Sequence, residues 1–347
     1  MKDSLLLVRT REWSIFLARR LVYLAGVIFV VSGFTFVLTR MIGNPAYLIA
    51  GFQATPATIE RIERELGLDR PVYVQFAEYL GSIFTGDFGV SRLTYRPVMD
   101  EFLARFPATI ELSVWAIIIG LLWAVPFGIA AGMKRGGTID RYVGPIANQI
   151  GLAMPSFWLG LVLLFVFTHN LGWTPSPAGR IDPFMGGPPT VTGSFVIDSV
   201  LAGDWERFNS SVRHLILPTI TLAIGFAPPI FQVARDSTLN VLSMDFVRSY
   251  RSLGMPEALI FRRILKHVLP QVMTLTAFTF GYLLGGAILV EVVFSWPGVG
   301  LYSVAALNRL DYEPIVGLVI VSAVIYVVLF FFTDLFQASL DPRVRRR

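Results

Sequence analysis

Several apolar runs in this chain are long enough to cross a lipid bilayer, and this feature restricts the fold more than any other. A spanning helix needs roughly 20 mostly apolar residues. Hydrophobic residues make up 54% of the chain and charged residues only 15%, fewer than a soluble domain carries. The pattern predicts an all-α integral membrane protein with six transmembrane helices, at about 18–39, 109–133, 143–168, 214–234, 271–294 and 314–337.

The basic residues indicate the orientation of these helices. Lys and Arg are enriched in short loops on the cytoplasmic side of a membrane. With the N-terminus in the cytoplasm, most of the basic residues fall in cytoplasmic tails and loops, and the short last outer loop holds only Arg309. We therefore expect both termini in the cytoplasm. The net charge of +5 reflects this bias and gives no indication of nucleic-acid binding.

This orientation places two sizeable segments outside the membrane, 41–108 and about 169–213. In the first, Thr55 followed by Glu60 and Glu63 predicts a capped amphipathic helix. The second is rich in Gly and Pro, so we expect it to be mostly loop. The first apolar run lacks a small-residue cleavage site, and we interpret it as a membrane anchor rather than a removable signal peptide.

The sequence lacks the motifs of most catalytic and metal sites. No lysine follows glycine, which excludes the usual phosphate-binding loop, and there is no G-x-S-x-G. Cysteine is absent, so the chain has neither disulfides nor cysteine-ligated metals. The three histidines, His169, His214 and His267, are scattered, and we interpret them as structural. We expect no catalysis, metal or cofactor in this chain alone.

Acidic residues near the span ends leave an alternative function open. A proton-coupled secondary carrier would use intramembrane acids, and the candidates are Glu111, Glu291 and Asp334. We favour the simpler interpretation that they are interfacial carboxylates. A membrane scaffold without transport activity is the other alternative.

Prolines inside the predicted spans remove backbone hydrogen bonds and can produce kinks that line a pathway. Pro155 is followed by Ser156, Phe157 and Trp158, which we take as candidate pathway residues, although packing against neighbouring spans explains them equally well. The outer sequence FSWPGVG, at 294–300, contains an aromatic pair that an interfacial aromatic belt is sufficient to explain.

A basic stretch, YRSLGMPEALIFRRILKHVLP, lies between the fourth and fifth spans. Gly254 permits a turn that other residues would not, and Pro256 suits a first helical turn. Glu257 then lies at the positive end of the following helix. We expect Arg262, Arg263 and Lys266 near the C-terminal end of that helix, next to the lipid head groups.

Six motifs, in order, resemble the permease subunits of ATP-binding-cassette importers of the dipeptide, oligopeptide and nickel group. They are ELGLDRPVYVQF, GDFGVS followed by RPV, PATIEL, MPSFWLGLVLL, GGAILVEVVFSWPGVG and DPRVR. The resemblance is to the first of the two paired permeases and implies a type I importer fold with an extra-cytoplasmic domain between helices 1 and 2. The implied organisation is an N-terminal tail and first helix (1–40), an outer domain (41–108), a five-helix core (109–342) with a cytoplasmic coupling loop at about 235–270, and a basic tail (343–347).

The resemblance also implies a role for the basic stretch, as a short helix that docks into a separate ATPase subunit. The lead of the family signature falls on Arg248, Ser249 and Tyr250, which depart from its acid-alanine-alanine pattern, and the signature glycine on Gly254. The implied coupling residues are Arg248, Ser249, Tyr250, Gly254, Met255, Pro256 and Glu257.

The implied assembly contains a second homologous permease, two ATPase subunits that bind ATP and Mg²⁺, and an extra-cytoplasmic solute-binding protein. The implied location is the cytoplasmic (inner) membrane. A di- or oligopeptide is the first expectation for the solute. Nickel chelates, glutathione, opines and oligosaccharides remain alternatives, because similar permeases carry them.

Overall fold

A computed structural model describes residues 18–20, 22–23, 25–37, 40, 46, 55–65 and 67–340. Within these ranges the protein is all-helical and forms no β-strand, in agreement with the predicted fold class. The predicted basic tail, 343–347, and the DPRVR motif lie outside the described residues. The same holds for the side chain of Asp334.

Twelve α-helices occur in this part of the chain. In chain order they are α1 Ala18–Val37, α2 Pro56–Glu65, α3 Val72–Thr85, α4 Val98–Met133, α5 Gly144–Ala153, α6 Ser156–Leu163, α7 Phe195–Leu201, α8 Trp205–Leu242, α9 Asp245–Ser252, α10 Glu257–Val293, α11 Val299–Asn308 and α12 Tyr312–Leu340. Two π-helical turns, Ile139–Val143 and Leu164–Asn170, adjoin α5 and α6.

Four of these helices, α1, α4, α8 and α12, are long and apolar enough to cross a membrane. The third predicted span corresponds to two arms, Ile139–Gly151 and Ser156–Asn170, which meet at an angle of 105°. Counted as one broken span, the pair gives five candidates. The fifth predicted span, 271–294, lies within the long helix α10.

The chain divides into two compact units. The first comprises the described residues up to Leu103, Ala305–Phe331 and the described residues from Ala338 onward. Its aromatic residues pack between helices, with the ring of Phe36 5.2 Å from Phe76 and 5.5 Å from Tyr79. The predicted helix cap is confirmed, since the Thr55 hydroxyl accepts a hydrogen bond from the Thr58 amide at 3.4 Å.

The GDFGVS motif forms a tight turn in this first unit. Asp87 accepts a hydrogen bond from the amide of Gly89, which has a φ of 82° that favours glycine. Ser91 then donates to the carboxylate of Asp311 at 2.6 Å, and the amide of Leu93 donates to the same group at 3.0 Å. The motif therefore joins α3 and α4 to the turn that precedes α12.

Helix α8 lies at the centre of the second unit, Ala104–Val304 with Phe332–Gln337. It packs against α5, α6, α7 and α10. The fully buried side chains of Ile230, Phe231 and Ala234 belong to its core. Because α8 has 38 residues and each adds 1.5 Å, it is about 57 Å long and exceeds the roughly 30 Å hydrocarbon core.

Small residues allow α4 to approach α8 closely. A Cβ atom at Gly128 would lie 2.6 Å from the carbonyl oxygen of Phe231, and one at Gly132 would lie 2.7 Å from that of Arg235. These two glycines form a G-x-x-x-G pattern, which permits close helix contact in membranes. Side chains at these positions would separate the two helices.

The structure adds detail to two of the predicted segments. The third span is bent at its proline, as expected, because the residue before a proline disfavours helical backbone and Met154 is extended, with a ψ of 126°. The second outer segment is mostly loop, as predicted, over 171–194 and 202–204. The rest of it forms α7 and the first turns of α8, which begin at the N-cap residues Ser194 and Asp204.

Candidate functional site

A cavity of about 550 Å³ lies at the break between α5 and α6. Because Pro155 cannot continue helix α5, the chain opens at Met154 and starts again at Ser156. Pro229 on α8 contributes to the facing wall. The lining is mostly apolar and comprises Gly151, Ala153, Met154, Pro155, Ser156, Leu222, Gly225, Phe226, Pro229, Leu275, Phe278, Thr279 and Leu283.

The three residues predicted as pathway candidates differ in their positions. Ser156 lines the cavity. Phe157 and Trp158 are exposed to 39% and 45% on the surface of the isolated chain and do not line it. The structure therefore brings only Ser156 of this group into the cavity.

The residues predicted to couple to an ATPase lie on helix α9 and the turn that follows it. Val247 on the inner face of α9 is buried, and Phe246 packs edge-on against Tyr250 with ring centroids 5.7 Å apart. Arg248 and Ser249 point away from this contact and are exposed. Helix α9 therefore has one face anchored to the protein and one face open.

A Schellman motif ends α9. The amide of Gly254 donates to the carbonyl of Arg251 at 3.1 Å, and the amide of Met255 donates to that of Tyr250 at 3.0 Å. Gly254 has a φ of 66°, as this motif requires. The predicted turn at Gly254 is present in the structure, and its backbone hydrogen bonds define one conformation.

Helix α10 starts directly after this turn. Glu257 lies in its first turn, as expected, whereas Pro256 is the N-cap residue just before that turn. Arg251 pairs with Glu257 across the turn at 3.2 Å. The buried residues Ile260, Ile264 and Val268 form a stripe at helical spacing on one side of α10. The turn and the adjoining helices are thus fixed on both sides.

The expected position of the basic residues on this helix was wrong. Arg262, Arg263 and Lys266 lie in the first turns of α10, which continues through Pro270 to Val293. They are therefore far from its C-terminal end, and the helix dipole does not explain them. Pro270 does not end the helix, because apolar packing on both sides of it outweighs the loss of one hydrogen bond.

Glu111 is buried on α4 and pairs with a cation from the loop 171–194, which we call the outer loop. Arg180 donates to its carboxylate through Nε at 2.9 Å, and Ser194 donates at 2.6 Å. The guanidinium of Arg180 also lies 3.7 Å from the centre of the Phe195 ring. Glu111 therefore joins the outer loop to α4, and its interfacial position stays a prediction.

Glu291, the second candidate acid, is completely buried. It accepts hydrogen bonds from the Thr109 hydroxyl at 2.6 Å and from the Leu301 amide at 3.0 Å. The nearby Trp296 is also buried and donates through Nε1 to the carbonyl of Ala108 at 2.8 Å. The aromatic-belt interpretation of 294–300 was therefore wrong, because Trp296 is part of the protein interior.

Asp198 organises the end of the outer loop. Its buried carboxylate accepts hydrogen bonds from the amides of Val191, Thr192 and Gly193 and from the Thr192 hydroxyl, at 2.7–3.2 Å. Burial alone would raise the pKa of Asp198, but these four donors hold it below its ordinary value. The ionised carboxylate thus fixes the loop against α7.

No group of three or more metal-ligating His, Cys, Asp or Glu side chains occurs among the described residues. The arrangement instead contains a cavity between helices, a loop fixed by hydrogen bonds and a short exposed helix, α9. These three parts suit the passage of a solute better than catalysis.

Comparison with known proteins decides between the classes of membrane protein. Residues 124–346 match the family model described as the binding-protein-dependent transport system inner membrane component. Residues 14–113 match the model of the N-terminal part of such membrane components. The chain belongs to this permease family.

Three relatives match the sequence of the permease over almost its whole length. It is 37% identical over 329 residues to the probable D,D-dipeptide transport system permease protein DdpB of Escherichia coli, covering 92% of this chain and 95% of the relative. It is 37% identical over 331 residues to the dipeptide transport system permease protein DppB of Alkalihalophilus pseudofirmus, covering 94% and 98%. It is 33% identical over 335 residues to the glutathione transport system permease protein GsiC of E. coli, covering 95% and 98%.

The resemblance predicted from the motifs is thereby confirmed. The permease is a membrane subunit of an ATP-binding-cassette importer. The roles of the coupling residues on α9 and its turn, and of Ser156, Phe157 and Trp158, stay predictions.

Several structural residues of the permease were not predicted from the sequence. Thr109 and Arg180 meet their partners 182 and 69 positions away, and nothing in the local pattern indicates such pairs. Asp204 could have been found, because an aspartate directly before a helix is a common N-cap, and it accepts from the Arg207 amide at 3.0 Å.

Proposed function

We propose that this permease forms one half of a pathway that imports di- or oligopeptides across the cytoplasmic membrane. A second, homologous permease supplies the other half. Two separate ATPase subunits bind ATP and Mg²⁺ and hydrolyse the ATP, and a solute-binding protein delivers the peptide from outside. The permease itself holds no cofactor and catalyses no reaction.

The exposed face of α9 and its turn is the observation that carries this proposal. Leu253 is 75% exposed at the tip of the turn, although it is a large apolar residue. A fixed turn that presents an apolar tip and charged neighbours to water suits a protein partner. We infer that the ATPase subunit covers Leu253 and contacts Arg248, Ser249 and the Gly254–Glu257 turn.

Movement of this segment would connect ATP binding to the pathway. Helix α10 runs without interruption from the turn at Gly254 to the residues Leu275, Phe278 and Thr279 that line the cavity. When the ATPase subunits close, α10 can therefore transmit the displacement to the cavity wall. Helix α10 would then have two positions, and ATP bound to the distant ATPase subunits would decide between them.

The proposed topology has six transmembrane helices, with both termini in the cytoplasm and an outer domain between the first and second. The charged pair Arg235 and Asp236 supports a cytoplasmic boundary near the inner end of α8, since neither side chain suits the hydrocarbon core. About 20 residues earlier, α8 reaches the outer boundary near Leu215.

Peptides are the proposed solutes because the named relatives carry dipeptides, D,D-dipeptides or glutathione, which share peptide-like groups. The cavity volume of about 550 Å³ falls within the range of about 300–1,000 Å³ that is usual for small-molecule sites. The mostly apolar lining would hold a peptide weakly, and weak binding suits passage rather than storage.

Reconstitution of the whole importer tests this proposal. The permease, its partner permease and both ATPase subunits are placed in liposomes, with the binding protein and a labelled dipeptide outside. We expect uptake that requires both internal ATP and the binding protein and that a proton ionophore does not abolish. Uptake that needs no ATP and collapses with the proton gradient would show a secondary carrier instead.

A further inference from the structure

Two adjoining crevices lie on the side of the second unit that faces outward in the proposed topology. The larger has a volume of about 340 Å³ and is lined by Leu164, Phe165, Thr168, His169, Ser176 and Pro177. The smaller, of about 10 Å³, shares Leu164, Ser176 and Pro177 with it, and only this smaller crevice is lined by Arg213 and His214. We call the two together the outer crevice.

The outer crevice is formed by the same parts of the chain as the proposed pathway cavity. The arm that begins at Ser156 reaches the crevice at Leu164. Helix α8 lines the crevice at His214 and the cavity at Gly225, three helical turns further in and on the same side of the helix. The end of α10, at Phe294, completes it. The crevice therefore lies outside the cavity along common walls.

In the proposed topology the crevice lies at the outer boundary of the membrane, where the pathway opens. If Arg235 marks the cytoplasmic boundary, roughly 20 residues of α8 reach the outer boundary near Leu215. Arg213 and His214 then lie at the level where a solute leaves water and enters the membrane region. Side chains at this level contact an incoming solute before the solute reaches the cavity.

Arg213 is the only permanently charged side chain among the residues that line the outer crevice. His169, Arg213 and His214 line it, and no carboxylate is among its lining residues. Among the described residues, the guanidinium of Arg213 makes one long hydrogen bond, 3.4 Å to the carbonyl of Trp173. Arginine carries five N–H donors in a planar fork, so donors remain for a ligand.

The two histidines are held in place at the crevice wall. The ring of His169 stacks on Phe165, with centroids 5.6 Å apart and planes at 21°. Nδ1 of His214 lies 2.8 Å from the carbonyl oxygen of Ser210. Because a carbonyl oxygen only accepts, Nδ1 carries the proton. Both rings are therefore oriented by their neighbours rather than free to rotate.

We propose that the outer crevice binds the carboxylate group of an incoming peptide, with Arg213 as the principal contact. The planar guanidinium matches the two oxygens of a carboxylate. Every free peptide carries such a group at its C-terminus. This inference rests on the proposed function and names the chemical group of the solute that this chain recognises.

A lipid phosphate would offer similar anionic oxygens, and the test must separate the two sources. Uptake is measured in the reconstituted importer for a dipeptide with a free C-terminus and for the same dipeptide with an amidated C-terminus. Each rate is expressed as the ratio of Arg213→Gln to the unaltered permease. The preference of the binding protein cancels in this ratio, because the same binding protein serves both permeases.

We expect Arg213→Gln to slow uptake of the free dipeptide by roughly tenfold, the size of one charge-assisted hydrogen bond. Uptake of the amide should stay within about twofold. Arg213→Lys should keep most of the rate for the free dipeptide, because the charge remains. Arg207→Gln is the matched control on the same helix, where Arg207 pairs with Asp204 outside the crevice.

Three results would overturn the inference. Equal slowing of both peptides would indicate a structural role for Arg213 or contact with lipid phosphate. Unchanged uptake of both would show that the crevice binds no carboxylate. If the unaltered importer carries neither peptide despite ATPase activity stimulated by the binding protein, the proposed solute class fails, and this inference fails with it.

Discussion

The hydroxyl of Thr109 donates a hydrogen bond of 2.6 Å to the buried carboxyl group of Glu291, 182 positions further along the chain. The same hydroxyl accepts a hydrogen bond from the amide of Val299 at 3.0 Å. One small side chain of α4 thus fixes the end of α10 and the turn into α11. Two residues later, Glu111 fixes the outer loop through Arg180.

Replacement of Thr109 should therefore destabilise the permease. Thr109→Val keeps the shape of the side chain but removes one hydrogen bond to the buried carboxyl of Glu291 and the side-chain acceptor of the Val299 amide. We expect a loss of about 2–4 kcal/mol in the free energy of unfolding, measured by thermal or denaturant unfolding in detergent.

Thr276→Val is the matched control for this substitution. The hydroxyl of Thr276 donates to the carbonyl of Val272, one turn earlier in the same helix, at 2.8 Å. Its removal leaves the backbone hydrogen bonds of the helix intact, so we expect a change below about 1 kcal/mol. Equal stability of the two variants would contradict the role assigned to Thr109.

The outer loop should lose stability in acid through Asp198. Its hydrogen bonds hold the folded pKa of Asp198 below the ordinary value of about 3.9, so the ionised form contributes stability above that value. This contribution is lost as the pH falls through the lowered folded pKa. Asp198→Asn removes the titrating group and should cost about 2–3 kcal/mol at pH 7.

The pH dependence of the stability loss distinguishes the effect of the Asp198 charge from a general disruption of packing by the substitution. The stability difference between the unaltered permease and Asp198→Asn should be constant from pH 6 to 8 and should shrink below about pH 4. Unfolding is followed at each pH by a probe in the loop, such as the fluorescence of Trp173. A difference that stays constant down to pH 3 would exclude the ionised carboxylate as its cause.

Close contact between α4 and α8 should make Gly128 intolerant of side chains. Gly128→Val would place carbon atoms where the Phe231 carbonyl and the Ala234 side chain now lie. We expect a strong loss of folded protein in size-exclusion chromatography, since overpacking costs about 1–3 kcal/mol or more. Gly81→Ala is the control, because a Cβ there meets nothing within 4 Å. Comparable yields of the two variants would show that α4 and α8 do not pack closely.

The turn after α9 should be required for coupling rather than for folding. A Cβ at Gly254 meets nothing within 4 Å, but its φ of 66° is strained for a β-branched residue. Gly254→Val should therefore reduce peptide uptake at least tenfold while the melting temperature changes little. Gly254→Asn should retain most uptake, because asparagine tolerates this conformation. If valine and asparagine behave alike, the left-handed turn is not what coupling needs.

The sequence predicted the parts of the fold that depend on local patterns. The cap at Thr55, the turn at Gly254 and the start of α10 at Glu257 all follow from neighbouring residues. Apolar runs located the long helices α1, α4, α8 and α12 but not their ends, because α8 has polar residues on both sides of its apolar run. The proline predicts a kink at Pro155, but the angle of 105° does not follow from the sequence.

The interior of the site could not be predicted, because its contacts join distant residues. Glu111 and Glu291 lie near span ends, which made an interfacial position the simplest interpretation. Their burial depends on Arg180 and Thr109, whose positions are set only by the packing of α4 against the outer loop and the end of α10. For the same reason Trp296 resembled an interfacial aromatic residue in sequence, although it is buried.

The central claim is that α9 and the turn after it dock on an ATPase subunit. A cross-link from the end of α9 tests this claim most directly. The chain contains no cysteine, so Ser252→Cys introduces a single thiol at an exposed position of α9. Ser176→Cys, on the exposed outer loop, is the matched control. The account predicts that the thiol at 252 cross-links to the ATPase subunit and reacts with an impermeant reagent only from the cytoplasm, whereas the thiol at 176 reacts only from outside. Labelling of position 252 from outside, or cytoplasmic labelling without any cross-link to the ATPase, would contradict it.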